Sequence, residues 1–91
     1  MAGQIEFERD VQKIRIVVDD NAVWIVCGWT LPIPRRKAID YANHYATNDD
    51  PNEGFFPMDG GFVCFTHNGG KITFSQSEAQ SLLNLIKSNY L

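Results

Sequence analysis

The sequence lacks any apolar run near the ~20 residues a membrane-crossing helix needs, so no span is expected. Its opening stretch, MAGQIEFERD, has no apolar h-region and no small-residue cleavage site, which argues against a secretory leader. Cysteine is scarce. Cys27 and Cys64 are the only two, and without an export signal they are expected to be reduced thiols in a cytoplasmic setting. Close pairs of metal ligands are missing as well. Zinc sites are built from close pairs of ligands, whereas Cys27 and His44 stand singly and Cys64 and His67 are the lone thiol and lone imidazole of one strand. No metal and no cofactor is expected. Catalytic pairings fare no better: on a strand, Cys64 and His67 are three apart and point to opposite faces, and no signature surrounds Cys27 or His44. The stretch Asp50-Pro51-Asn52-Glu53-Gly54 echoes a calcium loop but lacks the spacing and terminal glutamate of an EF-hand. There is no internal repeat, no interdomain linker and no glycine-rich phosphate loop. An enzyme is not expected.

Positive charge is also short. Eight Lys and Arg face eleven Asp and Glu, for a net charge of −3 and a pI near 5.1. Direct nucleic-acid binding needs a positive field and is excluded as the general mode. What is present is core-building material: 44% hydrophobic residues, among them two Trp, three Tyr and six Phe. Ninety-one residues with this composition predict a single compact domain, 1–91.

The clearest local pattern runs from Gly61 to Leu91. Phe62, Cys64 and Thr66 alternate with Val63, Phe65 and His67 at a strand's two-residue period. Asn68-Gly69-Gly70 supplies a tight turn, and Ile72 and Phe74 return on one face. Ser75 and Glu78 stand at capping-box spacing. After them Ala79, Leu82, Leu83, Ile86 and Tyr90 mark one helical face. Upstream, Ile5 and Phe7 alternate with Glu6 and Glu8, and a break near Arg9-Asp10 precedes a strand over 11–18. Asp19-Asp20-Asn21-Ala22 is a turn. Residues 23–30 form a strand apolar on both faces, with Gly28 as a bulge or close approach, and Pro32-Ile33-Pro34 stops it. Trp24 and Trp29, an odd number apart, are expected on opposite sides of that strand. A helix over 34–46 follows, and then a loop over 48–60. The order predicts an α+β domain, β-β-α-β-β-α with a possible extra N-terminal strand. Its antiparallel sheet would have about four or five strands, with two α-helices packed on one face.

Two groups of residues bear on function. Asp49, Asp50, Glu53 and Asp59 surround Phe55, Phe56 and Met58, the acid-rimmed aromatic composition of a protein-binding hot spot. The competing reading is that Phe55 and Phe56 plug the end of the sheet. Arg35, Arg36 and Lys37 open the first helix, where the dipole is already positive and each charge costs about 0.3–1 kcal/mol. That arrangement suits a phosphate or carboxylate, or simply three charges facing water.

Size, acidity and the missing catalytic signatures lead to the expectation of a small non-enzymatic inhibitor that occupies the basic or nucleic-acid-binding surface of a host protein. Such proteins include phage or mobile-element anti-defence proteins, anti-CRISPRs among them, and immunity-type proteins. The alternative is a small-molecule, nucleotide or anion-binding domain that uses the basic helix start. Monomer and homodimer both fit.

Overall fold

The structure, a computed structural model, describes residues 3–8, 13–45 and 53–91. The expected break at Arg9-Asp10 and the loop acids Asp49 and Asp50 lie outside the described residues. Strands β1 (Gly3–Phe7), β2 (Ile14–Val18), β3 (Ala22–Val26) and β4 (Thr30–Pro34) pair antiparallel in that order. Helix α1 (Arg35–Asn43) follows. Strands β5 (Gly54–Met58), β6 (Phe62–His67) and β7 (Gly70–Ser75) form a second antiparallel sheet, and α2 (Gln76–Tyr90) ends the described chain. The class is α+β, as the patterning implies. The single sheet of four or five strands is corrected to two sheets, one of four strands and one of three. The two helices divide between the sheets unequally. Helix α2 packs on β1 and β2 of the first sheet and on β6 and β7 of the second, while α1 packs on β3, β4 and α2.

Alternation explains the first sheet. Ile14, Ile16 and Val18 are buried and Arg15 between them is exposed. Val23 and Ile25 are buried while Trp24 faces out. The chain turns back at Cys27-Gly28-Trp29 rather than running straight to residue 30. Gly28 takes φ +85°, which only glycine adopts freely, and the Cys27 N–H donates to the Trp29 carbonyl at 2.9 Å. That turn resets the parity of the strand, so both tryptophans end up exposed rather than on opposite sides. Pro32 and Pro34 do not end the strand either; they stand within β4, pairing with Trp24 and Ala22. Proline is tolerated there because β4 is an edge strand. Pro32 and Pro34 offer no N–H, which makes β4 a poor template for a further strand.

The second sheet contains the largest departure from the sequence reading. Within the expected 48–60 loop, Gly54–Met58 is a strand: Phe55 pairs with Phe65, Phe56 with Cys64 and Met58 with Phe62. Phe55 is 1% exposed and packs on Phe65 with ring centroids 4.7 Å apart. Burial of one such side chain contributes roughly 1.5–3 kcal/mol, and it removes Phe55 from any surface offered to a partner. Helix α2 matches expectation closely. Ser75 Oγ accepts from the Glu78 N–H at 3.2 Å and Glu78 Oε1 accepts from the Ser75 N–H at 2.9 Å. Ala79, Leu82, Leu83, Ile86 and Tyr90 are its buried residues.

Candidate functional site

Two surfaces carry chemistry, and both follow from strand parity. In the second sheet, Phe55, Val63, Phe65, Ile72 and Phe74 face the core. The residues between them in register, Phe56, Met58, Phe62, Cys64 and Thr66, therefore share the opposite face. Cys64 and Thr66 are buried there and Phe56 is half-buried, while Met58 and Phe62 stand opposite each other at 45% and 48% exposure. The 3-10 turn Asp59–Gly61 joins them. Gly60 sits at φ +80°, and a Cβ there would meet the Phe62 ring at 3.6 Å. Asp59 is exposed beside this pair. Of the candidate recognition residues, the structure thus gathers Phe56, Met58 and Asp59 at one hairpin and adds Phe62. The signal for Phe62 was its even-numbered parity with Phe56 and Met58.

The second surface is a groove of about 480 Å³ lined by Asn21, Ala22, Trp24, Pro32, Pro34, Arg36, Lys37, Glu53, His67 and Asn68. One wall is fixed by the turn after β2. Asp19 Oδ1 accepts from the N–H groups of Asn21 and Ala22, each at 2.8 Å, and Oδ2 accepts from the Trp24 indole Nε1–H at 2.9 Å. The N–H of Asn21, then that of Ala22 and the Trp24 indole hold the Asp19 carboxyl below the usual carboxylate range. The same turn anchors α1, because the Arg35 N–H donates to the Asn21 carbonyl at 2.9 Å. Arg35 itself is engaged: its guanidinium lies 4.7 Å over the Tyr90 ring and Nη1 donates to the Asp20 carbonyl at 3.2 Å. It is not among the residues lining the groove. Arg36 and Lys37 are. The N-cap of α1 is Pro34, with no side-chain cap and no acidic residue in the first turn. A proline cannot cap the N–H groups that every helix start leaves over.

Two residues of the groove lining, Glu53 just before β5 and His67 of β6, meet Tyr41 of α1. The Tyr41 hydroxyl hydrogen-bonds Glu53 Oε2 and lies 2.8 Å from His67 Nδ1, and His67 Nδ1 is 3.3 Å from Glu53 Oε2. The Tyr41 hydroxyl, together with the charges of His67 and Lys37, keeps the Glu53 carboxyl below its ordinary value against the opposing effect of partial burial. With Glu53 ionised, the network assigns the protons: Tyr41 O–H donates to Glu53, and Nδ1–H of His67 donates to the Tyr41 oxygen. The His67 side chain is only 4% exposed, and its Nε2 has no hydrogen-bond partner among the described residues. Buried polar atoms are seldom left so.

Sequence reasoning treated His67 as a hairpin-end histidine and Glu53 as a loop acid. The signals were present: His67 shares the core-facing parity of Val63 and Phe65, and Tyr41 lies on the buried stripe of α1 with Ala38 and Ala42. Their convergence is a matter of topology. His44 is a surface residue whose Nδ1 lies 3.0 Å from the Asp40 carbonyl oxygen. Cys27 and Cys64 are buried free thiols, and burial raises the Cys27 thiol. Among the described residues no group of three or more His, Cys, Asp or Glu side chains is placed to hold a metal ion, and no helix is long and apolar enough to cross a membrane. Comparison with protein-family models, with curated proteins and with solved structures finds no match for this chain.

Proposed function

We propose that this chain is a small, non-enzymatic protein-binding module that acts in the cytoplasm by occupying a partner's surface. The observation that carries the reading is the Met58–Phe62 pair. Two large apolar side chains stand opposite each other on the outer face of the second sheet, beside Phe56 and the exposed acid Asp59. Apolar anchors of this size next to charge are what interface centres are made of. The net charge of −3 favours a partner with a basic or nucleic-acid-binding surface. Inhibition of such a host protein, in the manner of a phage or mobile-element anti-defence protein (an anti-CRISPR) or an immunity protein, is the form we assign to it. The test compares wild type with the Met58→Asp, Phe62→Asp variant in pull-downs from native lysate, with circular dichroism establishing that the variant is folded. A stoichiometric, salt-sensitive partner kept by wild type and lost by the folded variant supports the reading. A partner held equally by both overturns the surface assignment. Light scattering on the same samples separates monomer from homodimer.

A second reading has its own observation. The groove at the start of α1, with Arg36, Lys37 and the unpartnered His67 Nε2, suits a small anionic ligand.

A further inference from the structure

Resting on that second reading, we infer that the groove takes a flat ring carrying a phosphate, the chemistry of a mononucleotide, with the phosphate at the α1 start and His67 and the ring against Trp24. The polar half of the argument is geometric. Pro34 leaves the first turn of α1 without a side-chain cap, no acid occupies that turn, and Arg36 and Lys37 line the groove from it. Two cations at a helix start therefore face the groove, the positive end of the helix dipole behind them.

His67 adds an independent pointer. It is buried, it lines the same groove, and Nε2 is the ring atom left without a partner among the described residues. Its other nitrogen is already held by Tyr41 and Glu53. In the imidazolium form both nitrogens donate, Nδ1 toward Tyr41 and Glu53 and Nε2 toward a phosphate oxygen. The Glu53 carboxylate also lines the groove, but its Oε2 is shared between the Tyr41 hydroxyl and His67 Nδ1. That leaves two cations against one engaged anion in the lining. An ordinary water fits the Nε2 requirement but not the uncapped, doubly cationic helix start.

The apolar half concerns the wall. Trp24 pairs in register with Pro32, and both line the groove together with Pro34. The indole is fixed by its Nε1–H bond to Asp19, so its orientation is set before any ligand arrives. A rigid indole flanked by two prolines is a platform for a planar ring, as in sequence-tolerant base stacking. The volume of about 480 Å³ falls in the range of small-molecule sites.

The probes are adenosine monophosphate, adenosine and inorganic phosphate, titrated into the full chain by calorimetry. Tryptophan emission is read in a Trp29→Phe variant, which leaves Trp24 as the sole indole. The expected result is saturable binding of the monophosphate with a change in Trp24 emission. Affinity should fall at least tenfold in Arg36→Ala, Lys37→Ala, and adenosine should bind at least tenfold more weakly than the monophosphate. Because substitution of buried His67 endangers the fold, its part is read by ¹⁵N NMR: the Nε2 resonance should move on adding the monophosphate in wild type. If phosphate alone binds as tightly as the monophosphate, the ring platform is wrong while the anion reading stands. If neither binds, or if Arg36→Ala, Lys37→Ala binds undiminished, the inference falls and the anion reading with it.

Discussion

At the scale of single residues, Glu53 shows how little of a site a sequence displays. Read in the chain, it is an acid in a polar loop. In the fold it ties the hydroxyl of α1's Tyr41 to a buried histidine of β6. Its carboxyl is held below the ordinary glutamate value, first by the Tyr41 hydroxyl and then by His67 and Lys37. The folded chain therefore binds this proton less readily than the unfolded chain does. Glu53's contribution to stability is full above the ordinary glutamate range and is lost as pH falls through it toward the lowered native value. Glu53→Gln, which keeps an oxygen that can accept from Tyr41 but removes the charge, should destabilise the protein by about 1 kcal/mol near neutral pH, the difference between a charge-assisted and a neutral hydrogen bond. Urea titrations of both proteins at about pH 7 and about pH 3 check this. The gap should shrink at the lower pH, and an unchanged gap would mean the carboxylate charge is irrelevant.

At the scale of elements, α2 illustrates what local chemistry decides. Its cap and its apolar stripe are set by residues a few positions apart, so both can be read along the chain. Ser75→Ala removes the acceptor for the Glu78 N–H, and thermal unfolding should show a loss of about 1 kcal/mol. Ser75→Asp, which restores an acceptor at the cap, should recover most of it. The same logic made the Asn68-Gly69 turn readable, since φ of +50° and +84° demands such residues. Strand β5 was unreadable for the opposite reason. Phe55 faces the core and Phe56 is half-buried on the other face, so apolar residues on both sides erase the period. Pro57, which reads as a loop marker, is accommodated because β5 is an edge strand. Gly28 hid the β3–β4 turn by ending a strand in the middle of an apolar run. The candidate sites divide along the same line. Arg36 and Lys37 were visible as a cluster at a helix start, and Met58 was visible as an apolar residue among acids. The union of Tyr41, Glu53 and His67 was not, because those residues are distant in sequence and meet only once α1 and the second sheet have docked.

At the scale of the whole molecule, the two sheets depend on a shared core. Each meander is followed by a helix, an arrangement that would allow two half-domains if each helix stayed with its own sheet. Instead α2, which follows the second sheet, packs on β1 and β2 as well as on β6 and β7, and it touches α1. Phe7 of β1 meets Phe74 of β7 edge-on at 5.7 Å, and the Tyr90 hydroxyl donates to the Asp19 carbonyl at 2.7 Å. Neither sheet can keep its apolar face covered if the other unfolds, because the element that covers both is the same helix. The chain should therefore unfold in one cooperative step. Each half carries its own reporter. Trp24 lies in β3 and is read alone in a Trp29→Phe variant, since Trp29 sits in the β3–β4 turn with its ring close to Gly70 of β7, and the buried thiol of Cys64 lies in the second sheet. Tryptophan emission and Cys64 thiol labelling, the latter in a Cys27→Ser variant, should give coincident urea midpoints, with far-ultraviolet circular dichroism of α2 joining them. Separate midpoints would mean that α2 can release one sheet while holding the other. The α1 groove, walled by Trp24 and Pro32 of the first sheet and by His67 of the second, would then be lost with whichever sheet unfolds first, whereas the Met58–Phe62 surface would last as long as the second sheet. Coincident midpoints imply the reverse: a ligand bound in the groove raises the unfolding midpoint of the second sheet, outer face included, by the same free energy as that of the first.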